Sequence, residues 1–105
     1  MNRSELNELL STECVNVVDF WAPWCGPCRV IGPILESIEA EDPRVNLVKV
    51  NVDENNDLAR EFGVRSIPTI VLMDGNGNVL STSVGAKDKA SMVSMINEAK
   101  LNSAE

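Results

Sequence analysis

Histidine is absent from this chain, and cysteine occurs only three times in 105 residues. Without an imidazole there is no Ser–His or Cys–His pair, no His ligand for a metal, and no side chain that ordinarily titrates near neutrality. Acid–base work must fall to carboxylates, lysines or cysteines. A structural metal site normally needs four Cys or His ligands, which this chain does not have. An odd cysteine count also fits poorly with a secreted scaffold stapled by disulfides, and points to a reducing, cytoplasmic setting.

Basic residues are scarce as well. Nine Lys and Arg face sixteen Asp and Glu, giving a formal charge of −7 with no basic cluster. Such a chain repels polyanions and offers no track for phosphates, so a nucleic-acid partner is not expected. No apolar run approaches the roughly 18 residues that a bilayer span requires, so a membrane role is not expected either. The opening Met1-Asn2-Arg3-Ser4-Glu5 has neither an apolar signal-peptide core nor a lipidation motif.

What is present suits a folded domain. An apolar content of 44% and a charged content of 24% are ordinary for a globular chain, and the length fits one domain over residues 1–105. Leu6, Leu9 and Leu10 share a face in a helix from Ser4 to Leu10, with Ser4 as its cap. Val15 to Phe20 reads as a strand and is broken by Ala22-Pro23-Trp24. A long helix from about Cys25 to Ala40 carries an apolar stripe of Val30, Ile31, Ile34, Leu35 and Ile38. Pro33 lies within that stripe and should bend the helix.

Val45 to Val52 forms a second strand. Asn55 or Asn56 caps a short helix through Leu58, Ala59 and Phe62, which ends at Gly63. Thr69 to Met73 and Val79 to Val84 are strands joined by the turn Asp74-Gly75-Asn76-Gly77-Asn78. A last helix, opened by Asp88, turns Met92, Val93, Met95, Ile96 and Ala99 inward. Helices between the early strands imply parallel pairing, and the hairpin adds an antiparallel edge. The expected class is α/β: a central mixed four-stranded sheet flanked by helices on both faces.

The chemistry gathers at Trp24-Cys25-Gly26-Pro27-Cys28. Two cysteines three positions apart at a helix start become neighbours, so a disulfide can close and reopen between them with little backbone motion. Free N–H groups and the helix dipole favour a thiolate on Cys25. Cys28, one turn inward, is the resolving thiol. Gly26 and Pro27 add no charge, and Pro27 sits in the first turn, where its missing N–H costs nothing. Cys25 would attack a disulfide and Cys28 would then release the mixed disulfide. The competing readings of the spacing are two incidental cysteines or half of a metal site, and no second pair of ligands supports the latter.

Asp19, between Val18 and Phe20, is either a buried carboxyl of raised pKa that takes the Cys28 proton or a water-satisfied strand end. Lys49 either turns inward beside Asp19 or faces solvent. Trp24 is expected as an exposed apolar rim and Trp21 as packing behind the cysteines, with plain core the alternative for either. Gly85 either lets a substrate chain approach or ends a strand. Cys14 is expected to be a small buried hydrophobe. Pro68 begins a strand and would ordinarily follow a trans bond.

These residues together resemble the thioredoxin family. Val18-Asp19-Phe20-Trp21-Ala22-Pro23-Trp24-Cys25-Gly26-Pro27-Cys28-Arg29 is similar to its active-site strand, loop and helix start. Pro33-Ile34-Leu35 fits its kinked helix. Lys49 to Asp53, Gly63-Val64-Arg65-Ser66-Ile67-Pro68-Thr69 and Val84-Gly85-Ala86 follow in the family's order. The resemblance implies the thioredoxin fold and general protein-disulfide reduction, with no bound cofactor. Electrons would come from a thioredoxin reductase, NADPH-dependent or related. It further implies a cis Pro68, a buried Asp19 assisting Cys28, and a groove for disulfide-containing proteins formed by Trp24, Ile67, Pro68 and Gly85.

Two departures stand out. The family's usual N-terminal edge strand is missing, which should leave one side of the sheet less covered and give an otherwise monomeric protein an edge through which to pair. Asn16 puts a polar side chain in the first strand. A binding subunit or scaffold indifferent to the dithiol is the rival reading of the same surface.

Overall fold

The computed structural model describes residues 1–103; the last two positions of the expected domain lie outside the described residues. The chain runs α1 (Arg3–Leu9), β1 (Val15–Trp21), α2 (Gly26–Glu41), β2 (Val45–Asn51), α3 (Asn56–Glu61), β3 (Thr69–Met73), β4 (Val79–Val84) and α4 (Lys89–Ser103). The strands lie in the order β2-β1-β3-β4. β1 and β2 are parallel, as a helical crossover requires, while β3 is antiparallel to both β1 and β4. The mixed four-stranded sheet is therefore as expected, with α1 preceding the first strand.

The central strands are apolar on both faces because both are covered. On one face Val15, Val17, Ile70 and Leu72 pack with Ile31, Leu35 and Ile38 of α2 and with Met92 and Ile96 of α4. On the other, Val18, Phe20, Val71 and Met73 pack with Leu6 of α1 and Leu58 of α3. Successive strand residues alternate between these faces, so Asp19 shares the α2 side with Val17. Lys49, its register partner on β2, shares that side too.

Several local expectations are corrected. Asn2 caps α1 in place of Ser4: its side chain accepts the Glu5 N–H, and the Glu5 carboxylate accepts the Asn2 N–H. That reciprocal pair starts the helix earlier, at Arg3. Leu9 is consequently exposed, Leu10 half-buried, and Leu6 alone is fully buried. Val30 points outward, 60% exposed, because Cys28, Ile31 and Leu35 define the inner face and leave position 30 off it. Pro33 lies inside α2, as the sequence placed it. Val93 and Met95 are half-buried, flanking the fully buried Met92, Ile96 and Ala99. Asn55 holds the cap position of α3, but its side chain donates back to the Asn51 carbonyl instead of capping.

Asn16 is fully buried yet well satisfied. Its Oδ1 accepts from the Ser11 N–H at 2.7 Å and from Asn46 Nδ2 at 2.8 Å, and its Nδ2 donates to the Ser11 carbonyl at 3.0 Å. It ties the loop after α1 to the sheet. The edge of β2 is also partly covered: the Val45 N–H pairs with the Asp42 carbonyl, and the Leu47 N–H donates to Glu39 of α2 at 2.7 Å. The short N-terminal segment is anchored by Arg3, which bonds Glu61 and the Gly77 carbonyl and lies 4.5 Å above the Phe62 ring.

Candidate active site

Cys25 occupies the N-cap of α2, in extended backbone geometry, and the helix begins with Gly26 and Pro27. Cys25 and Cys28 are joined by a disulfide with their Cα atoms 5.3 Å apart. The Cys28 N–H, one of the free donors of the helix tip, points at Cys25 Sγ from 3.2 Å. When the bond opens, that donor favours negative charge on the Cys25 sulfur. Pro27 takes its place in the first turn without sacrificing a hydrogen bond.

Around the disulfide the chain makes a connected surface. Trp24, 68% exposed, is fixed by its indole N–H, which donates to Asp53 at 2.9 Å. Cys25 Sγ lies 3.8 Å from the Ile67 carbonyl. The Ile67–Pro68 bond is cis. The Pro68 carbonyl accepts the Gly85 N–H at 2.8 Å, and Gly85 adopts φ +89°, a conformation that favours glycine. Contacts thus run from Trp24 through Cys25, Ile67 and Pro68 to Gly85.

Beneath this surface Asp19 is completely buried, and neither carboxylate oxygen has a hydrogen-bond partner. Burial pushes its pKa from 3.8 up to about 6; the nearby Lys49 ammonium opposes that rise and Glu36 adds to it. Lys49 combines the two readings, since its charge acts on Asp19 while its side chain is partly exposed. Its head reaches the surface, where Nζ pairs with Glu36 at 3.3 Å and sits 5.1 Å from the Trp21 ring. A cavity of about 270 Å³, lined by Trp21, Cys28, Gly32, Glu36 and Lys49, opens on this side. Asp19 makes no hydrogen bond to Cys28 in the disulfide form.

The comparisons agree with this geometry. The family model described as Thioredoxin matches residues 1–98. The chain belongs to the thioredoxin family. Thioredoxin of Bacillus subtilis is 44% identical over 89 residues, spanning 84% of this chain and 85% of the relative. Thioredoxin of Haemophilus influenzae is 48% identical over 83 residues, 78% of this chain and 77% of the relative. A solved mutant thioredoxin from Halobacterium salinarum superposes with a TM-score of 0.84 at 35% identity, covering 94% of this chain and 86% of that one. With its disulfide at the helix tip, this family member is a thiol–disulfide oxidoreductase with disulfide-reductase activity.

Reading the sequence alone missed three contributors to this thioredoxin-family site. Glu36 was detectable: Cys28, Gly32 and Glu36 fall at i, i+4 and i+8 along one line of α2. Asp53, which holds Trp24, and Arg29, which donates to the Pro23 carbonyl at 2.8 Å, had no local signal. Cys14 corrects another expectation: it is half-buried, with Sγ 3.5 Å from the Pro43 carbonyl, and it stays outside the disulfide. Among the described residues no cluster of His, Cys, Asp or Glu could hold a metal ion. Among the described residues no helix is long and apolar enough to cross a membrane.

Proposed function

We propose that this protein is a monomeric, single-domain reductase of protein disulfides in the cytoplasm, recharged by a thioredoxin reductase that draws on NADPH or a related donor. The placement of the Cys25–Cys28 disulfide at the tip of α2, beside an exposed tryptophan, carries the reading. Cys25 thiolate attacks one sulfur of a substrate disulfide; a Cys25–substrate bond forms and the other substrate sulfur leaves as a thiolate. Asp19, ionised at neutral pH with its pKa of about 6, then takes the Cys28 proton. The Cys28 thiolate attacks Cys25 Sγ, closing the disulfide and releasing the second substrate thiol. Two electrons have passed to the substrate, and the reductase returns two to the pair. Gly26 and Pro27 keep the helix tip uncharged, while Trp24, Ile67, Pro68 and Gly85 receive the substrate chain. The odd cysteine count supports the reducing compartment.

A coupled assay with a thioredoxin reductase, NADPH and a disulfide-bonded test protein tests this directly. Cys25→Ser should abolish turnover, and Cys28→Ser should accumulate a mixed disulfide between Cys25 and the substrate. Turnover surviving in Cys25→Ser would refute the mechanism and favour a binding module indifferent to the dithiol.

A further inference from the structure

A groove of about 520 Å³ opens beside the disulfide, between Trp24, α3 and the loop leading to Pro68. Its apolar lining comes from Trp24, Val52, Ala59, Val64 and Ile67. Ile67 is also the residue whose carbonyl approaches Cys25 Sγ, so the groove adjoins the attacking sulfur. Arg60 of α3 and Arg65 of the loop line it as well, and no carboxylate does. That is a local reversal in a chain with sixteen acidic residues against nine basic ones.

The nearby acids leave these two cations available. Asp53 accepts the Trp24 N–H at 2.9 Å. Asp57 stands 3.9 Å from Arg60, with the two side chains 101% and 82% exposed, a long and solvated contact of little worth. Arg65 makes no ion pair among the described residues. Two guanidinium groups over an apolar lining match a peptide that offers a carboxylate next to an apolar side chain, because planar guanidinium suits carboxylate recognition.

We propose that Arg60 and Arg65 set substrate preference, favouring disulfides whose target cysteine is flanked by Asp or Glu and by an apolar residue that enters the groove. This rests on the reading that Cys25 attacks protein disulfides. The test uses one disulfide-linked peptide made in three versions, with Glu, Gln or Lys beside the target cysteine. The wild-type protein should show a kcat/KM about fivefold higher for the Glu than for the Lys version at low salt, carried mainly by KM. The preference should shrink at high salt as the charges are screened. It should largely vanish in the Arg60→Gln/Arg65→Gln double variant and return in part in Arg60→Lys/Arg65→Lys.

Equal values for Glu and Lys peptides in the wild type, or a preference untouched by the double Gln variant, would overturn the proposal. Turnover of bis(2-hydroxyethyl) disulfide by the wild type reports the exchange chemistry alone. Its absence would refute the functional reading itself, whereas its presence with equal peptide rates would refute only the role of the groove.

Discussion

Asp19 has two carboxylate oxygens without partners at a fully buried position, and its pKa of about 6 follows chiefly from that burial. The linked stability has a definite sign. Between pH 4 and 6 the folded state holds a proton that the unfolded state has released, so stability declines as pH rises through this window and levels off above it. The shift corresponds to about 3 kcal/mol. Asp19→Asn should therefore flatten the pH dependence of denaturant midpoints between pH 4 and 8, while slowing the step in which Cys28 releases the mixed disulfide. A slope unchanged by the substitution would mean another group carries it. Lys49 and Glu36 pull in opposite directions, so Lys49→Gln should move the Asp19 titration upward and Glu36→Gln should move it downward. Carboxyl NMR shifts followed against pH would show both movements. The sequence betrayed the carboxyl, lodged between Val18 and Phe20, but not the surface ion pair beside it. Whether a lysine head turns inward depends on what stands across the helix, and Glu36 is thirteen residues away.

Strand and helix periodicities survived into the structure with small changes at their ends, because the alternation of faces in β1 and β3 is dictated by two covering layers. The ends were less legible. Asn2 displaced Ser4 as a cap because a carboxylate three residues on, Glu5, completes a reciprocal pair with it. Val30 falls on the apolar stripe in sequence yet faces solvent, because apolar residues on both sides of the helix midline widen any pattern read from sequence. The Asn16–Asn46 contact lay beyond reach altogether, since it joins strands through register. Glu39 shows the same limit at the edge of β2, where its carboxylate takes the Leu47 N–H that no strand pairs. Glu39→Ala should leave that donor to water, and hydrogen exchange at Leu47 should accelerate while exchange in β3 is unchanged. Protection at Leu47 equal to that of central-strand amides in the variant would show that the carboxylate does not shield the edge.

At the scale of the molecule, the cross-over from β1 into α2 brings a strand end, a helix tip and the loop before β3 to one surface, and there the reactive pair sits. Trp24 and Val84, both more than half exposed, leave apolar surface on either side of the Cys25–Pro68–Gly85 contacts, as a protein that handles other proteins requires. The motif itself was plain in the sequence, since two cysteines after a buried strand at a helix start admit few chemistries. The groove with its two arginines was not, because Arg60 and Arg65 come to line one groove with Trp24 only through the fold of α3 and the loop after it. Every step of the proposed cycle assumes that the two sulfurs differ once reduced. Alkylation of the reduced protein by iodoacetamide across pH 5 to 10, with the modified cysteine located by mass spectrometry, measures that difference. The expected result is modification at Cys25 with a midpoint below the ordinary thiol value of about 8.5, and little at Cys28. Equal modification of both cysteines, with ordinary thiol midpoints, would contradict the account.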